Sequence, residues 1–75
     1  MADDTTPTGA EWVAAFARQL GLAAPDPADL ETLLELAGVA AHASERTAAP
    51  IACYLVGRAG VAPADALAIA RTVEG

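Results

Sequence analysis

Side chains able to move a proton, attack a carbonyl or grip an anion are scarce in this chain of 75 residues, which has one histidine, one cysteine and a single serine, Ser44. One place gathers such groups: His42, Glu45 and Arg46. Residues three and four apart are neighbours on a helix surface, so this spacing lets His42 face both of the others, with Tyr54 joining them from a facing helix. Arginine grips a carboxylate or phosphate through two parallel bonds, and imidazole donates or accepts near neutral pH. The chemistry on offer is recognition of an anion or of a protein partner. A plainer account of the same residues is that His42 and Arg46 complement the negative end of a helix and bond its last carbonyls.

Other chemistries fit less well. No glycine-rich phosphate loop and no paired metal-ligand motif is present, and Ser44 stands in Ala-Ser-Glu, which does not mark a nucleophile. A small enzyme using His42 as base with Glu45 as its orienter would need a pocket that twenty large apolar residues hardly wall in. No catalytic residue is therefore assigned. No cofactor or metal is expected either, because His42 and Glu45 alone fall short of a ligand set. An acidic carrier-protein-like module suits the composition, but such carriers attach phosphopantetheine to a serine at the start of their second helix, and Ser44 falls at the end of one. Cys53, in an apolar stretch, reads as a buried small hydrophobe.

The elements that must position these groups are helical. Met1 to Thr8 is acidic and polar with no periodicity, predicting a disordered tail followed by a single helical domain over 9–75. Thr8 with Glu11 three residues on forms a capping box, and Trp12, Val13, Phe16 and Leu20 follow at helical spacing, opposite Arg18 and Gln19. Helix one is expected over 9–20, stopped by Gly21. Asp26, with Pro27 after it, or Asp29 can cap a second helix, over 29–45, whose apolar stripe is Leu30, Leu33, Leu34, Ala37 and Ala41. Thr47 to Pro50 turns the chain into a third helix over 51–59, apolar on nearly every side and so expected to be central and covered by its neighbours. A fourth restarts at 62–65, turns Leu67, Ile69, Ala70 and Val73 inward, and ends near Glu74. The fold class is all-α, a compact bundle of four short helices.

Composition bounds what such a bundle can do. The hydrophobic class makes up 55% of the chain, yet twenty-one of those residues are alanine, which favours helices and close approach more than burial. One small core results. Ten acidic residues against four arginines and no lysine leave a net charge of -6, so a nucleic-acid partner is excluded by repulsion. The apolar run 48–57 is about half the length of a membrane span, and the start of the sequence lacks the pattern of a signal peptide, so no membrane contact and a cytoplasmic location are expected. A core this small leaves apolar side chains at the surface, which a symmetric homodimer would bury.

The run Leu33 to Gly57 (LLELAGVAAHASERTAAPIACYLVG) resembles a small uncharacterised helical domain family of actinobacteria. Its pattern of an L-x-L-A stretch, A-H, an arginine, A-P and an aromatic-L-x-G is met here by Leu34, Leu36, Ala37, Ala41, His42, Arg46, Ala49, Pro50, Ile51, Tyr54, Leu55 and Gly57, and Trp12 also fits. Gly38, Val39 and Thr47 depart from it. The family is found alone and as a tail on proteins similar to molybdenum cofactor guanylyltransferases. The resemblance therefore implies a non-catalytic accessory domain, with a molybdenum cofactor nucleotidyltransferase or a molybdoenzyme as partner.

Overall fold

A computed structural model describes residues 6–73. The chain is all-α, with four helices and no strand among the described residues: α1 (Gly9–Gln19), α2 (Pro27–Ala43), α3 (Ala48–Ala59) and α4 (Pro63–Ala70). Residues 1–5 of the expected tail, and Glu74, lie outside the described residues.

Local chemistry sets most of the boundaries. At the start of α1 the Glu11 amide donates to Thr8 Oγ1 at 3.1 Å and the Thr8 amide donates to Glu11 Oε1 at 2.9 Å, a reciprocal cap that satisfies two otherwise orphaned donors. At its end Gly21 takes φ +79°, and the Leu22 and Gly21 amides donate to the carbonyls of Ala17 and Arg18. That pairing is a Schellman motif, which requires the left-handed residue that glycine supplies without strain. Asp26, not Asp29, caps α2, its side chain accepting from the Ala28 amide with Pro27 in the first turn.

Three other boundaries differ from expectation. α2 stops at Ala43, short of 45: Ser44 leaves helical geometry at φ −140° and ψ −93°, while its amide and its Oγ both still donate to the Ala40 carbonyl, at 3.2 and 3.0 Å. α3 begins at Ala48 rather than after Pro50, so Pro50 sits in its first turn, where the missing N–H has no intrahelical partner to lose. α4 ends at Ala70, followed by a turn.

α2 is the hub, closely approached by both α3 and α4, while α1 comes comparably close to no other helix. The core is Leu36, Ala66 and Leu67, with Val39, Ala52, Cys53, Val56, Val61 and Ala70 packed against it. Alanines at 52, 66 and 70 are what bring the backbones together, since a small side chain shortens the interhelical distance. The Cys53 thiol points at the Leu33 carbonyl at 4.0 Å, half-buried as a small hydrophobe. An ion pair between Arg71 and Glu35 ties the end of α4 to α2 at the surface.

Several expected core residues are outside. Trp12, Phe16 and Leu20 are exposed, and the covered flank of α1 is made of Val13, Ala14, Ala15 and Ala17. On α2 the covered stripe is rotated from the expected one: Leu34 is 67% exposed while Leu36, 2% exposed, is the most buried large side chain. Ile69 and Val73 also face out. α3 is not central, because only α2 covers it closely, and Ile51, Tyr54 and Leu55 remain exposed. The consequence is a large surface. A folded chain of 7.5 kDa exposes roughly 4,200 Å² by the usual size scaling, and this one exposes 5665 Å². It hides about half of its unfolded surface, where a chain of this size ordinarily hides roughly 60%.

Candidate functional site

The residues singled out by type and spacing surround the turn between α2 and α3. His42 is in the last turn of α2; Glu45 and Arg46 fall beyond it, in the turn. The helical spacing that would put all three on one face therefore ends at Ala43. All are exposed, and among the described residues no hydrogen bond or ion pair joins His42, Glu45 and Arg46. Nor do His42 or Arg46 side chains bond the last carbonyls of α2; the Ala40 carbonyl is taken by Ser44 instead. Backbone groups of the same residues build the turn: the carbonyls of Glu45 and Arg46 accept from the amides of Ala48 and Ala49, which launches α3. Tyr54 is not turned to this group by any bond. Its hydroxyl accepts from Arg58 Nη1 at 3.2 Å, one turn along α3.

What the sequence did not single out is the concavity beside that turn. A depression of about 380 Å³ is walled by Val39 and Ala43 of α2, Ile51 and Leu55 of α3, and Val73 after α4, among others. A second, of about 270 Å³, shares Ala52, Leu55 and Ala70 with the first and has Leu36 in its floor. Together they form one trough along α3. Ser44 carries the only hydroxyl in its lining, and that hydroxyl is already donated to Ala40. Glu45 and Arg46 are bracketed in sequence by the lining residues Ser44 and Ala48, so the polar turn forms one end of the trough.

The charge around it is mixed. Arg46 precedes α3, Arg58 lies in its last turn and Arg71 follows Ala70, so three of the four arginines neighbour lining residues. Acids flank it as well: Glu35, paired with Arg71, precedes Leu36, Glu45 follows Ser44 and Asp65 precedes Ala66, while Asp26, Asp29 and Glu31 lie at the start of α2 and Glu11 on α1. Among the described residues no group of three or more His, Cys, Asp or Glu side chains comes close enough together to hold a metal ion. None of the described helices is long and apolar enough to cross a membrane.

A third feature is α1 itself. Trp12 and Phe16 pack ring to ring with centroids 5.1 Å apart, and with Leu20 and Leu22 they present an apolar ridge to solvent. The signal for this was in the sequence as an amphipathic helix; that nothing covers it was not.

A small all-α domain with an uncovered aromatic ridge and an apolar trough, rimmed by charges of both signs, is thus the class of molecule the fold defines. The chain belongs to the family described as a domain of unknown function, DUF6457, whose model matches residues 4–74. No curated protein and no solved structure matches it.

Proposed function

We propose that this chain is a non-catalytic interaction domain that presents His42, Glu45, Arg46 and Tyr54 to a protein partner in the cytoplasm. The observation that carries the reading is the character of the main concavity: aliphatic walls, one spent hydroxyl and no titratable side chain among its lining residues. General acid–base or nucleophilic chemistry needs such a group within reach of a bound substrate. Polar groups gather instead at the exposed α2–α3 turn, where Arg46 has no ion pair among the described residues, and further along α3 Arg58 holds the Tyr54 hydroxyl. An arginine and a tyrosine beside an apolar surface is the composition that protein interfaces favour at their energetic centres.

The sequence resemblance to a domain that occurs alone and as a tail on molybdenum cofactor guanylyltransferase-like proteins supports a partner in molybdenum cofactor or molybdoenzyme maturation. Titration calorimetry against a purified molybdenum cofactor guanylyltransferase tests this. Saturable binding that weakens at least tenfold in Arg46→Ala is expected. Absence of binding by the unaltered chain overturns the choice of partner, and equal affinity of Arg46→Ala and Tyr54→Ala with the unaltered chain overturns the choice of surface.

A further inference from the structure

The ridge on α1 and the trough along α3 are both apolar, both uncovered, and of opposite shape. Trp12, Phe16 and Leu20 recur every four residues on one flank of α1, a ridge about 12 Å long at 1.5 Å per residue. The trough follows α3, twelve residues and about 18 Å long. We propose that two copies of this chain pair reciprocally, each seating the Trp12, Phe16 and Leu20 ridge of its α1 in the α2–α3–α4 trough of the other.

Two further observations favour a second copy as the occupant. The first is area. The ridge with Leu22, and the trough residues Ile51, Leu55, Ile69 and Val73, are eight large apolar side chains each between 49% and 65% exposed. At roughly 100 Å² still accessible per side chain they offer about 800 Å² per copy, the share each partner contributes to a stable interface of standard size. The second is the deficit in burial. Granting the seven residues outside 6–73 the full exposure of an unfolded chain still leaves the other 68 with about 700 Å² more surface than a folded monomer of 68 residues shows. The area missing from burial matches the area the pairing would cover. Arranged about a two-fold axis, a ridge and a trough on the same molecule satisfy each other twice and close the assembly at a dimer, whereas the same contact without that axis would run on from copy to copy.

Trp12 is the only tryptophan, so its fluorescence reports the ridge alone. Sedimentation equilibrium of the full chain is expected to show a dimer. On dilution through the dissociation constant, Trp12 emission is expected to shift to the red in step with the loss of dimer. Phe16→Asp, on the ridge, and Leu55→Asp, in the trough, are each expected to be monomeric while keeping their helical circular dichroism. An equimolar mixture of the two is expected to recover dimer, because one intact ridge still meets one intact trough. A monomer at all concentrations overturns the proposal, including the case of a blue-shifted emission independent of concentration, which would mean that α1 closes over its own trough. A dimer lost in Phe16→Asp but kept in Leu55→Asp overturns it in favour of α1 against α1, and the converse in favour of trough against trough. Should either aspartate variant lose helicity, Phe16→Ser and Leu55→Ser replace them in the same mixing experiment.

Discussion

Replacing Leu36 by alanine removes the one large side chain that is 2% exposed and empties the centre of the α2–α4 contact. Three carbons leave the core, worth about 2.4 kcal/mol at ~0.8 kcal/mol per buried methylene. The space they leave is not a sealed void, because Leu36 also floors the smaller depression of the trough. Solvent and neighbouring side chains can enter it, so the cavity contribution is small and the total is about 3 kcal/mol, near the low end of measured buried leucine truncations. A chain of this length has roughly 4–11 kcal/mol of stability altogether, so the loss is a large fraction. In a thermal melt followed by far-ultraviolet circular dichroism it corresponds to about 12–24 °C, at ~4–8 °C per kcal/mol for a small domain. The matched control is Leu34→Ala, two residues away on the same helix but 67% exposed, where a change within ~0.5 kcal/mol is expected. Both must be measured at one protein concentration, because self-association makes the midpoint concentration-dependent. A Leu36→Ala midpoint lowered by under ~5 °C, or equal shifts in the two variants, would refute the placement of the core.

Glycine substitutions at two positions should act in opposite directions. Gly60→Ala meets no atom within 4 Å but must hold φ +69°, so it is expected to lose ~1 kcal/mol, whereas Gly38→Ala, inside α2 with open space around it, is expected to gain ~0.5–1 kcal/mol from helix propensity; urea midpoints read both. Thr8→Ala removes the reciprocal cap of α1 and should cost ~1 kcal/mol locally. It is expected to show as faster amide hydrogen exchange confined to α1, with the α2 amides unchanged.

Signals that act within one turn of helix were legible in the sequence: the Thr8–Glu11 box, the Gly21 stop and the prolines that open α2 and α4 all sit where their local chemistry requires. Which face of a helix is covered was harder to read. α2 has apolar residues at 30, 33, 34, 36, 37, 39, 40, 41 and 43, nearly all the way round. Periodicity then selects a stripe only to within a residue or so, and it preferred Leu34 to Leu36. On α1 the periodicity located the apolar flank correctly, but a period says nothing about whether a neighbour exists to bury it. The grouping of His42, Glu45 and Arg46 on one face assumed that α2 runs past them. The helix ends first, where Ser44 departs from helical backbone angles, a change that has no signature in spacing. The trough was out of reach because it exists only through the absence of a third wall over α3, a property of how the helices are arranged and of no residue in particular.

The two caps of α1 have a consequence for how its reach is set. With its start fixed by Thr8 and Glu11 and its end by Gly21, the helix is punctuated independently of the rest of the chain, and beyond its cap residues Leu20 and Gly21 it is joined to α2 by the five residues 22–26, a tether of about 17 Å at full extension. The length of that tether governs competition between a chain's own α1 and a neighbour's. A tether long enough to return α1 to its own trough would hold it there at an effective concentration in the millimolar range, beyond what a second copy reaches in dilute solution. A tether that stops short leaves the trough to other molecules. Adding or removing a few residues between Leu22 and Asp26 would therefore move the chain between a closed monomer and an exchanged pair without altering either surface.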